Sequence, residues 1–252
     1  AKVTKCDVLP SSSNNVAVTE HERLSVKQVI KTPKGATVLD FGQNIAGYIE
    51  FSLTAKKHQR IKLRFGEMFD GDGEFTQKNI QCRNKKGTKI TPLQQIIYNC
   101  KEGVNTYKTK FAIFGFQYVL IETDAAWEQK DFTAIAVYSD MPETLKFECS
   151  HPLINKLVEN TRWSAKNNHA DVPTDCPTRE RHGWTGDAQI FCNTASYFFD
   201  YAAFARKYVN DMCDGQRKNG VFRQITPRGG IDRYMNTMDG SAGWSDAGVL
   251  IP

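Results

Sequence analysis

The middle of the chain reads Asp171-Val-Pro-Thr-Asp175-Cys-Pro-Thr-Arg-Glu180-Arg-His-Gly-Trp-Thr-Gly-Asp187. Asp171, Asp175, Glu180 and Asp187 are interleaved with Arg179, Arg181, His182 and Trp184. Pro173, Pro177, Gly183 and Gly186 forbid one continuous helix, because proline removes a donor and fixes φ while glycine loosens the backbone. The stretch is therefore an ordered, bent loop that can aim several carboxylates at one point. General acid chemistry on a sugar needs that: one acid to protonate a leaving oxygen, others to hold hydroxyls. An indole face also suits the C–H face of a sugar ring. The same residue types build ordinary solvated turns, where Asp beside Pro or Gly bonds its own backbone. The spacing offers no His-x-x-x-His or Cys-x-x-Cys pair for a metal. A hard cation on Asp171, Asp175 and Asp187 stays open.

Upstream of this loop the pattern has period two. Val38 to Asn44, Gly47 to Leu53, Arg60 to Phe65, Phe116 to Glu122 and Phe132 to Tyr138 read as half-buried strands, rich in aromatic and β-branched residues. Strands at this spacing with Gly and Asn turns predict an antiparallel β-sandwich over residues 21–141. Residues 1–20 contain Pro10-Ser-Ser-Ser-Asn-Asn15 and read as a linker. Asp40 and Glu67 lie beside turns and read as acceptors for backbone donors. The strands stop near Ser139-Asp-Met-Pro-Glu143, and residues 142–252 form a second unit.

That unit has helical spacing. Ser150 reads as the cap and Pro152 as the first turn of a helix running to Asn168, with Ile154, Leu157, Val158 and Ala165 on one face. Further helices are predicted over 188–201 and 202–213, with Phe198, Phe199 and Tyr201 packing in the core. The remainder reads as glycine-rich loop, ending in Gly240-Ser-Ala-Gly-Trp244-Ser-Asp246-Ala.

Composition narrows the function classes. Over 252 residues the net charge is +5 and the charged residues of both signs are mixed. The short run Arg83-Asn-Lys85-Lys86 reads as a solvated hairpin tip, and nucleic-acid binding would need a basic face. No apolar run reaches a membrane span, and the N-terminus has no apolar signal core. Ala1 without a methionine implies a processed or excised chain. The 7 cysteines are scattered and odd in number, which argues for free thiols and leans towards a reducing, cytoplasmic setting. The oligomeric state is not legible.

Asp175-Cys-Pro-Thr-Arg-Glu180-Arg-His-Gly-Trp-Thr-Gly-Asp187 resembles the signature of the bacterial α-L-rhamnosidases, glycoside hydrolases built on an (α/α)6 six-hairpin toroid. Leu39-Asp-Phe-Gly-Gln-Asn-Ile-Ala-Gly47, Arg64-Phe-Gly-Glu-Met68 and Phe114-Gly-Phe-Gln-Tyr118 are similar to the β-sandwich that precedes that toroid. The resemblance implies Glu180 as catalytic general acid, Asp175, Arg179 and Asp187 on rhamnose hydroxyls, and Trp184 lining the pocket. Trp244 and Asp246 fall on a family Trp-Gly-Asp-Ala motif, here with serine in place of glycine. They become candidate sugar contacts, although Asp246 equally reads as a helix cap. No cofactor or metal is implied, and the implied partners are rhamnose-containing glycosides.

The fold implied is thus an antiparallel β-sandwich followed by the first helices of the toroid, truncated. A toroid of about twelve helices needs well over 200 residues, and 142–252 has room for about four. The family's general base, a later glutamate, falls on no residue here. The expectation is an inverting α-L-rhamnosidase as the full-length parent, while this chain alone shows an open apolar face and little turnover. A non-catalytic carbohydrate-binding fragment, or a six-hairpin glycosidase for another sugar, are the alternatives.

Overall fold

In the computed structural model, described over residues 16–83, 86–90, 94–228 and 239–252, the alternating stretches are antiparallel strands. The long ones are β1 (Val18–Ser25), β2 (Gln28–Lys31), β3 (Thr37–Ala55) and β4 (Arg60–Gly66). Two small hairpins follow, β5 (Met68–Phe69) with β6 (Phe75–Thr76) and β7 (Cys82–Arg83) with β8 (Lys89–Ile90). Then come β9 (Gln95–Asn99), β10 (Gly103–Lys108), β11 (Phe114–Thr123) and β12 (Phe132–Ser139). β1 begins inside the segment whose composition reads as linker. Pro10 to Asn15 and the centre of the Arg83 to Lys86 run lie outside the described residues.

β3 belongs to both layers. Its first half lies between β2 and β11, its second between β12 and β10. The predicted sandwich is therefore one continuous 8-stranded sheet turned over on itself, not two separate sheets. The change of partner falls at Gly47, which pairs with Phe114 and with Ala136. A Cβ at Gly47 would stand 1.9 Å from the Ile135 carbonyl oxygen, so the crossing requires a residue without one. The two halves enclose a single apolar core containing Phe51, Phe65, Phe116 and Phe132. Phe65 stacks on Phe114 at 4.2 Å and meets Phe116 edge-on. Each such side chain contributes about 1.5–3 kcal/mol by leaving water.

Helix α1 runs Pro152–Asn167, α2 Thr185–Phe198 and α3 Ala202–Gly215, with a helical turn at Ala247–Leu250. His151, not Ser150, stands at the cap position of α1 and makes no side-chain cap bond. Asn155 instead reaches back to bond both backbone groups of Cys149. α2 starts three residues before the predicted Ala188, so Gly186 and Asp187 occupy its first turn. Phe198, Phe199, Tyr201, Phe204, Tyr208 and Met212 are buried, whereas Leu153, Ile154 and Leu157 of α1 and Ile190 and Tyr197 of α2 face solvent. The apolar stripe of α1 is covered along Val158 and Ala165 only.

The last turn of α1 joins the helices to the sheet. Asn167 Oδ1 accepts from the Ala46 N–H at 2.8 Å, and its Nδ2 donates to the Asn44 carbonyl at 2.9 Å. Asn44 lies within, and Ala46 just beyond, the stretch between Asp40 and Ile45 where β3 swings out and loses its register with β11. Beside them the buried Lys166 ammonium pairs with Glu22 at 2.8 Å and Glu143 at 2.7 Å, between the rings of Tyr138 and Trp163. Removing the cation leaves Glu22 with the Tyr138 hydroxyl and Glu143 with Arg162, and takes from both carboxylates the charge they share. Lys166→Met should therefore lower unfolding free energy by about 2–3 kcal/mol, scored by urea titration at pH 7. An unchanged midpoint would mean that the cluster adds nothing net.

Candidate active site

α1 feeds directly into the acidic loop through a tight antiparallel pair, β13 (His169–Ala170) and β14 (Val172–Pro173). Asp171 turns the corner with φ +70, its N–H bonded to Ser139 Oγ and its carboxylate paired with Lys207 at 2.9 Å. That carboxylate is committed to Lys207. The trio of Asp171, Asp175 and Asp187 does not converge, and no group able to hold a metal ion is found among the described residues.

Asp175 closes the next loop. Its N–H donates to the His182 carbonyl at 3.2 Å, and its Oδ1 accepts the His182 N–H at 3.1 Å. Inside that closure the Glu180 N–H bonds Cys176 Sγ at 3.2 Å, and Arg181, at φ +52, reverses the chain. The Glu180 carboxylate is gripped from two sides, by Arg179 at 2.5 Å and by the Trp184 indole N–H at 3.0 Å. Beyond it, Trp184 bridges to Ile225, Thr226 N–H bonds the Gly183 carbonyl, and Tyr208 Oη donates to the same oxygen. A Cβ on Gly183 would meet the Thr226 carbonyl oxygen at 2.0 Å, and one on Gly186 would meet the Trp244 ring at 2.8 Å. Both glycines are demanded by close approach, which the sequence shows only as loosened backbone.

Asp175, Asp187 and Trp244 line one cavity of about 450 Å³, together with His169, Phe191 and Tyr201. Glu180, Arg179, Trp184 and Asp246 are not among its lining residues. Asp246 is exposed, and its Oδ2 accepts from the Gly243 N–H at 3.0 Å rather than capping the turn it precedes. Ser245, the serine that departs from the family motif, ties two loop strands together. Its Oγ donates to the Phe222 carbonyl and accepts from the Gly240 N–H, both at 2.8 Å. Asp40 accepts from Gly42 N–H and Gln117, and Glu67 from the amides of Asn44 and Asn79, so both brace turns.

The carboxyls differ in their proton affinity. Asp187 is pushed above its ordinary value by desolvation, then by the charges of Asp175 and Glu180. Glu180 is instead held below its ordinary value. Its burial alone would raise it, but the Arg179 and Trp184 hydrogen bonds and the Arg179 charge outweigh that effect.

His169 is a cavity residue that the sequence reading did not single out, and Tyr201, read there as core packing, lines the cavity as well as being buried. His169 is fully buried at the end of α1, and its Nδ1 lies 2.7 Å from the Ala165 carbonyl. A carbonyl only accepts, so Nδ1 carries the proton and Nε2 accepts from Tyr201 Oη at 3.2 Å. A lone histidine after a helix gives no sequence signal of this.

Two family models match the chain: the bacterial α-L-rhamnosidase concanavalin-like domain over residues 30–138 and the bacterial α-L-rhamnosidase 6 hairpin glycosidase domain over 142–252. The chain belongs to the bacterial α-L-rhamnosidase family. An α-L-rhamnosidase of Streptomyces avermitilis is 33% identical over 233 residues, which is 92% of this chain and 21% of that protein. The crystal structure of the Streptomyces avermitilis α-L-rhamnosidase complexed with L-rhamnose superposes with a TM-score of 0.85 at 31% identity, covering 96% of this chain and 22% of that one. The α-L-rhamnosidase from Dictyoglumus thermophilum gives a TM-score of 0.84 at 30% identity, covering 95% and 26%. The chain thus spans about a fifth to a quarter of the length of the α-L-rhamnosidases it matches.

Two titrations check this electrostatic picture. The Glu180 carboxyl should titrate below 4.5, and Arg179→Met should move it upward, read by NMR on carboxyl-labelled glutamate. A Glu180 titration indifferent to Arg179 would refute the grip. His169 is neutral when folded, its value driven down from 6.5 to about 4 by burial. The unfolded chain takes up that proton first, so stability is lost as pH falls from 6.5 towards 4. His169→Gln should shrink the stability difference between roughly pH 7 and 4.5 by about 2 kcal/mol. Equal pH dependence in both proteins would contradict the buried neutral ring.

Proposed function

We propose that the polypeptide carrying this chain is an α-L-rhamnosidase that removes terminal α-L-rhamnose from glycosides with inversion. The observation that carries this is the juxtaposition of Asp175, Glu180 and Asp187, coupled through their charges, beside an aromatic-walled cavity of sugar size. In this reading Glu180 protonates the departing glycosidic oxygen. Asp175 and Asp187 accept hydrogen bonds from sugar hydroxyls, and Trp184 and Trp244 offer indole surface to the ring. Asp246 is proposed as a contact at the rim, acting through the Gly243 turn that it holds.

The Arg179–Glu180 pair gives the acid a way to gain its proton. An ionised Glu180 has nothing to donate. When Arg179 turns to a rhamnose hydroxyl, Glu180 loses the largest of the effects that lower it, and burial then raises its proton affinity. Substrate binding would thus arm the acid. In the single displacement, a second carboxylate activates water on the opposite face, set further from the acid than in a retaining pair. No residue among 1–252 is assigned to that role. The reading calls on no metal or cofactor.

The test is hydrolysis of methyl α-L-rhamnoside, whose poor leaving group needs the proton, by the complete polypeptide, wild type beside Glu180→Gln. The variant should lose roughly 10²- to 10⁴-fold in kcat while retaining rhamnose binding. A near-normal rate in the variant would overturn the acid assignment. An inactive wild type that cleaves the methyl glycoside of a different sugar would overturn the sugar.

A further inference from the structure

The loop that carries Glu180 is held at its two ends by the helical part and at its tip by the β-sheet part. The ends are Asp175, bonded to His182, and Gly183, bonded to Thr226 and Tyr208. The tip, residues 176–181, touches the sheet at three points on either side of Glu180. Two residues before it, the Thr178 carbonyl accepts from Gln94 Nε2 at 2.6 Å. Immediately after it, Arg181 donates to the Ile113 carbonyl at 2.9 Å. Beside the first of these, Pro177 and Thr178 lie directly on Gly115 of β11. A Cβ there would be 2.4 Å from Thr178 Cγ2 and 3.0 Å from Pro177 Cγ.

Gln94 is 2% exposed, and its remaining amide atom, Oε1, has no hydrogen-bond partner among the described residues. Its amide therefore serves one contact, and the contact is to the loop. A carbonyl can only accept, which fixes the amide with nitrogen towards Thr178.

We propose that the β-sheet domain is a positioning element for the catalytic acid, with Gln94 and Gly115 setting the height and angle at which the loop presents Glu180. This rests on the reading of Glu180 as general acid. The physical argument is one of tolerance, since a displacement well under 1 Å at the proton donor costs rate steeply while leaving ground-state contacts in place. Asp175 and Asp187 hang from the ends of the loop and from α2, so they stay where they are when the tip shifts. The predicted signature is specific to acid catalysis. A poor leaving group needs the proton and a good one does not, so a displaced acid penalises alkyl rhamnosides and spares activated aryl ones.

The experiment measures kcat and KM of the complete polypeptide on methyl α-L-rhamnoside and on 2,4-dinitrophenyl α-L-rhamnoside. Wild type, Glu180→Gln, Gln94→Leu, Gly115→Ala and Gly115→Ala with Thr178→Ser are compared, with melting temperatures alongside. Gln94→Leu and Gly115→Ala should lower kcat on the methyl glycoside about tenfold or more, change the dinitrophenyl rate less than about threefold, and leave KM near wild type. Thr178→Ser removes the methyl that the new Cβ would strike, so the double variant should recover part of the lost rate. If Gln94→Leu fails to fold, the Gly115 pair supplies the same comparison.

Equal losses on both substrates would make the contact merely structural, and no loss would make it idle. Either overturns the proposal. The controls separate this failure from that of the underlying reading. A wild type inactive on rhamnosides, or a Glu180→Gln without the steep leaving-group dependence, sinks the acid assignment itself. Steepness in Glu180→Gln alone sinks only the role of Gln94 and Gly115.

Discussion

The long strand β3 cannot serve two layers without a break, and the break leaves backbone groups that the sheet does not pair. Between Asp40 and Ile45 its register with β11 is lost, and the Asn44 carbonyl within that stretch and the Ala46 N–H just beyond it are turned away from the ladder. Unpaired backbone groups in a buried seam cost too much to leave, so something must bond them. Asn167 does so with one amide. Because Asn167 ends α1, this fixes the helix end on the sheet, and the two residues that follow begin the β13–β14 turn. The acidic loop is therefore aimed by a hydrogen-bonding necessity that arises inside the β-sheet.

Elements with strong periodicity were legible in the chain. Arg60 to Phe65 alternates as a strand should, and Ile61, Leu63 and Phe65 are all fully buried. The loop was legible as well, because Pro173, Pro177 and the glycines leave no other structure for that stretch. What local pattern could not convey was where tertiary partners would intervene. α2 starts at Thr185 because the Thr185 N–H and Oγ1 bond the Gln224 carbonyl, a contact 39 residues away. The single folded sheet depends on Gly47 meeting Ile135, which no window around Gly47 contains. Half of the α1 stripe is apolar in sequence yet open to solvent in space, because periodicity reports which side is apolar and not what covers it.

The site shows the same division. Four acids in one short loop were visible, but not their separate fates. Asp171 goes to Lys207, Asp175 closes the backbone, Glu180 is gripped by its own neighbour Arg179, and Asp187 takes the first turn of α2. Adjacent acids alone would raise one another. The guanidinium beside Glu180 reverses that outcome for Glu180, while Asp187, raised by desolvation and by the charges of Asp175 and Glu180, keeps it. Carboxyls a few residues apart thus come to hold protons with different tenacity, Asp187 more tightly and Glu180 less.

The seat of the loop tip on Gly115 also bears on module exchange. Residues 138 to 142 look like the natural place to cut and join, since strand ends there and helix has not begun. Yet a chimaera joined at that point inherits its sheet from one parent and its acid loop from another. The fit between Gly115 and the residue opposite, here Thr178, is then left to chance. Recombination that respects function would move Gln94, Ile113 and Gly115 together with residues 175–187, as one unit that no linear boundary delimits.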